Sequence, residues 1–243
     1  MLEVQGIKKS FGGIEALKGS TFSVPAGRIT ALIGPNGAGK TTLFDIISGF
    51  IKPGSGSIFF ENKDITFLET HSRARLGISR TFQQVHLFPY LSILDHLRMV
   101  EDHEDTKLFK NIFLRKKKED RKKYEQILCD FGIDADLKTE VRALSYGQRK
   151  LLQIVMALSM KHRLILLDEP VAGVNNIIQN RIENILLNLK KAGETILLIE
   201  HDIEFIRNLA DYVIVLDAGV VLTQGEPKAV LNDKRVLEAY LGT

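Results

Sequence analysis

The sequence predicts an α/β fold: a mostly parallel sheet with helices on both faces, joined by a small antiparallel sheet and an inserted helical segment. Short runs of aliphatic and β-branched residues alternate with amphipathic stretches, which is typical of buried parallel strands connected by helices. The chain has 243 residues, of which 44% are hydrophobic. That is enough for one sizeable domain or for a domain with an additional lobe.

The first sixty residues favour an antiparallel sheet beside the first buried strand. Apolar and polar residues alternate over 1–30, with turn signals at 12–13 and 25–27. A further turn at 52–56 precedes a short apolar segment at 57–60. Alternation with a period of two is expected where only one face of a sheet is buried.

From residue 87 to residue 143 the sequence changes character. Charged residues become frequent and apolar residues recur at helical spacing, so we expect an inserted helical subdomain over 87–143. The nucleotide-binding core, with the β subdomain, is then expected to comprise 1–86 and 144–243 of a single domain. Within the second part, strands are predicted at 164–167, 195–199, 212–216 and 220–223, and helices at 146–159, 176–191 and 202–209.

Residues 34–41 read Gly-Pro-Asn-Gly-Ala-Gly-Lys-Thr, the complete pattern of a phosphate-binding loop. A predicted strand at 28–33 precedes the loop and a predicted helix at 41–48 follows it, which is the context that the motif requires. The glycines allow backbone N–H groups to converge on an anion at a helix N-terminus. Lys40 would add a positive charge, and the Thr41 hydroxyl is suited to Mg²⁺. A glycine-rich turn without a ligand is the alternative.

Acidic residues and a histidine follow two of the predicted strands. Asp168 stands at the carboxyl end of the strand at 164–167, where ligands bind in open α/β sheets, and it is suited to hold Mg²⁺. Glu169 is placed to polarise or deprotonate a water molecule in phosphoryl transfer. His201 follows the strand at 195–199 and could reach a γ-phosphate. An acidic strand-end turn and a structural histidine are the alternatives.

The segment Leu144-Ser145-Tyr146-Gly147-Gln148 completes a set of motifs that resembles the ATP-binding-cassette (ABC) ATPases over essentially the whole chain. It is similar to the family signature LSGGQ, although Ser145 alone could be a helix cap. The resemblance implies a P-loop NTPase core of RecA-like fold, an N-terminal antiparallel β subdomain and a helical signature subdomain. It also implies hydrolysis of ATP, with Mg²⁺ as the cofactor.

The resemblance assigns a role to individual residues. Gln83 is similar to the Q-loop glutamine, a metal and water ligand that senses the membrane partner, and Phe11 is the best candidate to stack on adenine. The residues expected to contact ATP are Phe11, Gly34, Asn36, Gly37, Ala38, Gly39, Lys40, Thr41, Thr42 and Gln83. The expected metal ligands are Thr41, Gln83 and Asp168. The expected catalytic residues are Glu169 and His201.

The family also implies that two cassettes, identical or different, bind ATP between them in a head-to-tail dimer. The signature residues expected to face the partner's ATP are Ser145, Tyr146, Gly147 and Gln148. Two positions depart from the family pattern, since Tyr146 replaces a glycine of the signature and Asn175 replaces the D-loop aspartate. These departures put coupling across the dimer through that loop in doubt.

Local sequences place the resemblance closest to the ATP-binding subunits of branched-chain (hydrophobic) amino-acid uptake transporters. They are Ile78–Gln83, Leu87–Pro89, Ser145–Gln148, Asp168–Asn175 and Glu238–Gly242. The tail is also similar to the lipopolysaccharide-export ATPase, and urea-uptake ATPases are close relatives. A soluble regulatory or repair ATPase of the same fold is the alternative from another class. A small-molecule P-loop kinase is disfavoured, because it has no use for the signature.

Composition limits the location and the partners. The sequence shows no signal pattern and no apolar run of membrane-spanning length, and its single cysteine, Cys129, suits a reducing compartment. We therefore expect a cytoplasmic protein, peripheral on the inner face of the membrane, with integral permease subunits and indirectly a solute-binding protein as partners.

A basic segment at 107–123 accounts for the positive net charge. It holds nine Lys and Arg against two acids, a local charge of +7, so the rest of the chain carries −4 of the net +3. A solvated helix face is the ordinary interpretation and contact with anionic lipid is the alternative. Because the remainder of the chain is mildly acidic, nucleic acid is not an expected partner.

Overall fold

A computed structural model of the chain describes residues 1–81, 87–101, 118–159 and 162–241, with the backbone only at 101, 118–120 and 241. Gln83 and most of the basic segment 107–123 lie outside the described residues. The strands are β1 Leu2–Phe11, β2 Ile14–Val24, β3 Ile29–Ile33, β4 Ser55–Phe60, β5 Lys63–Asp64, β6 Ile78–Arg80, β7 Leu164–Asp168, β8 Ile196–Ile199, β9 Tyr212–Asp217 and β10 Val220–Gly225. The helices are α1 Lys40–Ser48, α2 Thr70–Arg75, α3 Ile93–Glu101, α4 Lys118–Asp130, α5 Tyr146–Ser159, α6 Asn176–Lys191, α7 Ile203–Leu209, α8 Pro227–Val230 and α9 Lys234–Leu241.

The larger sheet has six strands in the order β10-β9-β3-β8-β7-β6. The strands from β9 to β6 run parallel, and β10 returns antiparallel along β9. Every residue of β3, β7 and β8 is buried, which explains why these segments read as continuous apolar runs. Because these three strands run parallel, their carboxyl ends lie at one common edge of the sheet.

The smaller sheet is antiparallel, in the order β2-β1-β4-β5. It meets the larger sheet at the β9–β10 turn, where Lys18 N of β2 donates to the carbonyl oxygen of Gly219 at 2.8 Å. Buried and exposed residues alternate along most of β1, as the sequence pattern predicts for a sheet with one covered face. The β1–β2 turn passes through Gly12 and Gly13, both with positive φ, a conformation that glycine adopts without a steric penalty.

Apolar side chains of the larger sheet separate into two buried clusters. In β3, Ile29, Ala31 and Ile33 join a cluster shared with α5, α6 and the helical segment, whereas Leu32 joins a cluster shared with α1 and the smaller sheet. This alternation follows from the two faces of a strand. The sheet is thus covered on both sides, as a mostly parallel sheet requires.

The inserted segment contributes α3, α4 and a short 3₁₀ helix, Val141–Ala143. Its two ends are joined by an antiparallel bridge between Ser92 and Glu140, and Ile93 and Leu128 pack into the same cluster as α5. The subdomain bounds at 87 and 143 stay a prediction. Within the described ranges, none of the helices combines the length and the apolar character needed to cross a membrane.

Candidate nucleotide-binding and hydrolysis site

The phosphate-binding loop connects the carboxyl end of β3 to the first turn of α1. Close backbone contacts, rather than mere flexibility, require glycine at two of its positions. A Cβ at Gly34 would lie 1.9 Å from the carbonyl oxygen of Leu216, and one at Gly39 would lie 2.6 Å from that of Ala16. The loop is therefore fitted tightly between β9 and β2 and leads into the N-terminus of α1, where backbone N–H groups can bind an anion.

Lys40 is held inside this loop. Its ammonium donates hydrogen bonds to the carbonyl oxygens of Gly34 at 2.7 Å and Pro35 at 2.9 Å. Burial lowers the pKa of Lys40, while the nearby carboxylates of Glu169 and Asp168 raise it. The lysine predicted to meet the outer phosphates is thus placed over the loop and next to both acids.

A cavity of about 310 Å³ lies over the loop and contains the predicted catalytic pair. Its lining residues are Ala16, Asn36, Gly37, Ala38, Gly39, Lys40, Thr41, Thr42, Glu169 and His201. The structure therefore brings the loop together with Glu169 and His201, which follow the loop by more than a hundred positions in the sequence. Convergent N–H groups and a lysine on one wall, with a carboxylate and an imidazole on the other, suit a phosphoryl group and a water molecule.

Glu169 and His201 stand at the ends of neighbouring parallel strands. His201 Nε2 lies 2.8 Å from Glu169 Oε1, within hydrogen-bonding distance. Glu169 has φ 47°, in the left-handed region that residues other than glycine rarely adopt. Its backbone N–H donates to the carbonyl oxygen of Ile199 in β8. This strained conformation is maintained by the strand pairing and turns the side chain towards the histidine.

Asp168 is buried at the end of β7 and is paired with Arg80, a residue to which sequence reasoning gave no role. Arg80 Nη2 lies 3.2 Å from Asp168 Oδ2, while Nη1 contacts Asp45 Oδ1 and Ser48 Oγ of α1, both at 2.7 Å. Burial raises the pKa of Asp168, and the guanidinium opposes that effect. Arg80 therefore links the end of β7, where a metal ligand is predicted, to the helix that follows the loop.

Tyr240 of α9 is a second residue that the sequence did not assign to the site. Its hydroxyl oxygen accepts a hydrogen bond from the backbone N–H of Gly34 at 2.8 Å. Burial raises the pKa of the Tyr240 hydroxyl. The tail was informative at the sequence level only as a family likeness. The structure shows that it reaches the first residue of the phosphate-binding loop.

The signature residues form the start of α5. Gln148 N donates to Ser145 Oγ at 3.2 Å, and Ser145 N donates to Gln148 Oε1 at 2.9 Å, so the two side chains cap the helix reciprocally. Gly147 lies against Ile178 of α6, where a Cβ would come within 2.8 Å of the isoleucine side chain. None of the four signature residues lines the cavity over the chain's own loop.

The two departures from the family pattern have local structural roles. Asn175 caps α6, because its side-chain oxygen accepts a hydrogen bond from Ile178 N at 3.0 Å. The Tyr146 ring lies against Gly173, and its hydroxyl is 3.5 Å from the carbonyl oxygen of Ala172. The segment that ends at Asn175, the D-loop position, thus keeps a hydrogen-bond acceptor at residue 175. It also gains a contact with the signature residue Tyr146.

Phe11, predicted to stack on adenine, is exposed at the end of β1 with the Lys9 ammonium 5.2 Å from its ring centroid. It is not among the residues that line the cavity. Gln83, predicted as a metal and water ligand, lies outside the described residues. The roles of both stay predictions.

Comparison with known proteins agrees with this geometry. A family profile described as ABC transporter matches residues 17–172, more than half of the chain. The chain belongs to the ABC transporter family. A probable branched-chain amino acid transport ATP-binding protein LivG of Archaeoglobus fulgidus is 35% identical to the cassette over 245 residues, covering 100% of this chain and 95% of the relative. The corresponding LivG of Methanocaldococcus jannaschii is 36% identical over 250 residues, covering 100% and 97%.

Solved structures give the same result for the fold. The ADP conformation of an ATP-binding cassette of an ABC transporter matches with a TM-score of 0.85 and 36% identity, covering 100% of this chain and 99% of the other. The predicted α/β fold of the P-loop NTPase class and the family resemblance are thereby confirmed. The cassette is an ATP-hydrolysing enzyme.

Proposed function

We propose that the cassette is the motor subunit of an uptake transporter for branched-chain or other hydrophobic amino acids. The motor part of this proposal rests on the cavity that joins the phosphate-binding loop to the Glu169–His201 pair. The cargo rests on relatives that match over the full length of the chain and whose names give branched-chain amino acid transport.

ATP would lie with its phosphates along the N–H groups of the loop. Lys40 would exchange its two carbonyl partners for the outer phosphate oxygens, which are charged and bind an ammonium more strongly. The Thr41 hydroxyl and the Asp168 carboxylate are hard oxygen donors of the kind that Mg²⁺ prefers, so these residues fit the ion, with Gln83 as the further predicted ligand. When bound, Mg²⁺ neutralises charge on the β- and γ-phosphates.

Glu169 would act on the water molecule that attacks the γ-phosphorus. As the new oxygen–phosphorus bond forms and the bond to the β,γ-bridging oxygen breaks, the carboxylate takes the proton of the water. His201, 2.8 Å from Glu169 Oε1, would hold that carboxylate in position and contact the γ-phosphate. The products are ADP and inorganic phosphate.

Each site would be completed by a second cassette, identical or different. Ser145 stands exposed at the N-terminus of α5, a helix of 14 residues, where a hydroxyl and the helix dipole favour an anion. It would meet the γ-phosphate bound by the partner, so that ATP stabilises the dimer by mass action. Closing and reopening of the dimer would act on permease subunits docked near Gln83. These permeases would hold the cassette at the inner face of the membrane. A solute-binding protein would be an indirect partner.

Replacing Glu169 by Gln tests the catalytic assignment. The amide keeps the shape of the side chain but cannot accept the proton, so we expect kcat for ATP to fall by on the order of 100-fold or more with ATP still bound. Phosphate release and nucleotide binding by the purified protein measure the two effects. Glu3→Gln, the same change on the exposed side of β1, is the control and should hydrolyse ATP normally. Normal turnover by Glu169→Gln would show that the assignment is wrong.

Uptake measurements test the cargo. In cells that lack this chain but keep its permeases, uptake of labelled leucine should be lost and should return with the wild-type chain but not with Glu169→Gln. Urea uptake should be unchanged. Intact leucine uptake with loss of urea uptake, or with loss of lipopolysaccharide export, would assign the motor to one of those alternatives.

A further inference from the structure

Lys150 is a buried lysine in α5 that contacts the backbone of the proposed catalytic residue. It is 2% exposed, and its Nζ donates a hydrogen bond to the main-chain carbonyl oxygen of Glu169 at 3.0 Å. Burial lowers the pKa of Lys150, while the carboxylates of Glu200, Glu169 and Asp168 raise it. A lysine that is buried so completely is expensive in free energy unless it is paired, and the negative charges of these three acids oppose that cost.

The carbonyl that Lys150 contacts belongs to the strained turn of the site. Glu169 has φ 47°, and its N–H is bonded to Ile199 in β8. The turn is also fixed two residues later, where Glu200 Oε1 accepts from Val171 N at 3.0 Å. The orientation of the Glu169 side chain therefore depends on contacts from β8 on one side and from α5 on the other.

Lys150 lies one helical turn after Tyr146, so the two side chains share a face of α5. Both contact the segment 169–173: Lys150 at the carbonyl of Glu169, and Tyr146 against Gly173 with its hydroxyl 3.5 Å from the Ala172 oxygen. The first turns of the signature helix thus rest on the chain that carries the catalytic carboxylate.

We propose that Lys150 is a positioning residue that ties the signature of each cassette to the catalytic Glu169 of the same cassette, with Tyr146 as a second contact. The inference rests on the proposed roles of Glu169 and Ser145. In the dimer, Ser145 serves the partner's ATP whereas Glu169 serves the chain's own. The link within one chain therefore connects the two ATP sites.

Steady-state ATP hydrolysis by the full-length protein tests this role. Lys150→Met removes the donor, and Lys150→Gln removes the charge and shortens the side chain by one bond, both without adding bulk. We expect kcat to fall by on the order of 10- to 100-fold because the carboxylate is misplaced. KM for ATP should change little, since neither variant touches the loop that binds the phosphates. The Hill coefficient for ATP, measured in the same experiment, should fall towards about 1 if the sites lose their coupling.

Three comparisons keep the outcome interpretable. Lys150→Arg, which restores a cationic donor, should recover part of kcat, and Lys191→Met, the same loss of charge at an exposed position of α6, should behave as the wild type. Thermal unfolding shows which variants are folded, so that a folded Lys150→Gln decides the question if Lys150→Met is not. Wild-type kcat and Hill coefficient in either folded variant, or a rise in KM alone, would overturn the inference. If Glu169→Gln also turned over normally, the site assignment itself would be at fault.

Discussion

Gly34 shows how much can depend on one residue without a side chain. Its carbonyl accepts from Lys40, its N–H donates to the Tyr240 hydroxyl, and its Cα faces the carbonyl of Leu216 too closely for any Cβ. Two elements distant in sequence, β9 and α9, thus converge with the nearby Lys40 on the first residue of the loop. Their contacts determine the position of the peptide groups that would receive the phosphates.

Replacing Tyr240 by Phe removes only the acceptor for the Gly34 N–H. The N–H of a buried residue without a partner costs on the order of 1 kcal/mol or more, so the free energy of unfolding should decrease by about that amount. For a chain of this size, the corresponding decrease in Tm is about 2–4 °C per kcal/mol. Thermal unfolding of the nucleotide-free protein measures it. An unchanged Tm would mean that water replaces the hydroxyl.

The residues that could be predicted are those whose position follows from a local pattern. Lys40 belongs to a contiguous motif, and Asp168 and His201 follow predicted strands whose carboxyl ends had to meet. Tyr240 could not be predicted as a site residue, because its contact with Gly34 spans 206 positions and depends on how α9 packs. The contact of Lys150 with the Glu169 carbonyl could not be predicted either, because a lysine in a helix is normally a solvated residue.

At the scale of elements, side-chain caps determine where several helices begin. Asn175 caps α6, Asp202 caps α7 through Phe205 N, and Ser145 with Gln148 caps α5. The predicted bounds of α5 and α6 agree with the structure, because a cap and a periodic apolar pattern coincide there. The inserted segment was harder to predict, since its charged sequence gives a helical period without marking where each helix stops.

Asn175→Ala should destabilise the cassette by about 1 kcal/mol, because the N–H of Ile178 loses its acceptor. Asn175→Asp is the matched control. It restores the residue usual in the family and keeps an oxygen in the same place, so its free energy of unfolding should equal or exceed that of the wild type. Chemical denaturation measures both. Equal stability of the Ala variant would show that the cap is energetically neutral.

The start of α3 should give the cassette a small acid sensitivity. Asp95 accepts from the hydroxyl and N–H of Ser92, and the hydroxyl bond is the main reason that the pKa of Asp95 is lowered from 3.8. An acid with a lowered folded pKa stabilises the protein above its unfolded pKa and loses that contribution as pH falls through the folded value.

The free energy of unfolding of Asp95→Ala should therefore be about 0.5 kcal/mol lower than that of the wild type at neutral pH. This is at the low end of the range for a helix cap, because the Asp95 side chain is partly exposed. The difference in Tm between wild type and variant should shrink as pH falls below the unfolded value of 3.8. Thermal unfolding across that range checks the trend. A difference that stays constant with pH would show that ionisation of Asp95 is irrelevant.

At the scale of the whole molecule, the residues proposed to act on ATP lie in two separate places. The loop, Glu169 and His201 share one cavity, whereas the signature at the start of α5 lies outside it. On the proposed function, a surface divided in this way would be completed by a second copy or a related cassette. The fold of each half follows from its own sequence pattern, but the pairing between chains cannot be derived from one chain's packing.

ATP should therefore control association. Glu169→Gln should be monomeric without nucleotide or with ADP and dimeric with ATP, because the uncleaved γ-phosphate bridges the loop of one chain and the signature of the other. Light scattering after size exclusion measures the mass. Adding Ser145→Arg to this variant should abolish the dimer, since a bulky side chain fills the contact. A nucleotide-independent mass would contradict the head-to-tail arrangement.

The two hydrogen bonds of Lys40 to its own loop bear on the thermodynamics of nucleotide capture. Because the ammonium donates to the carbonyl oxygens of both Gly34 and Pro35, these two bonds cross-link the loop and favour its observed shape. Capture is then an exchange of partners within a rigid receptor rather than the folding of a loop around its ligand. Little chain entropy is lost in that exchange, so more of the binding free energy is available to draw two subunits together.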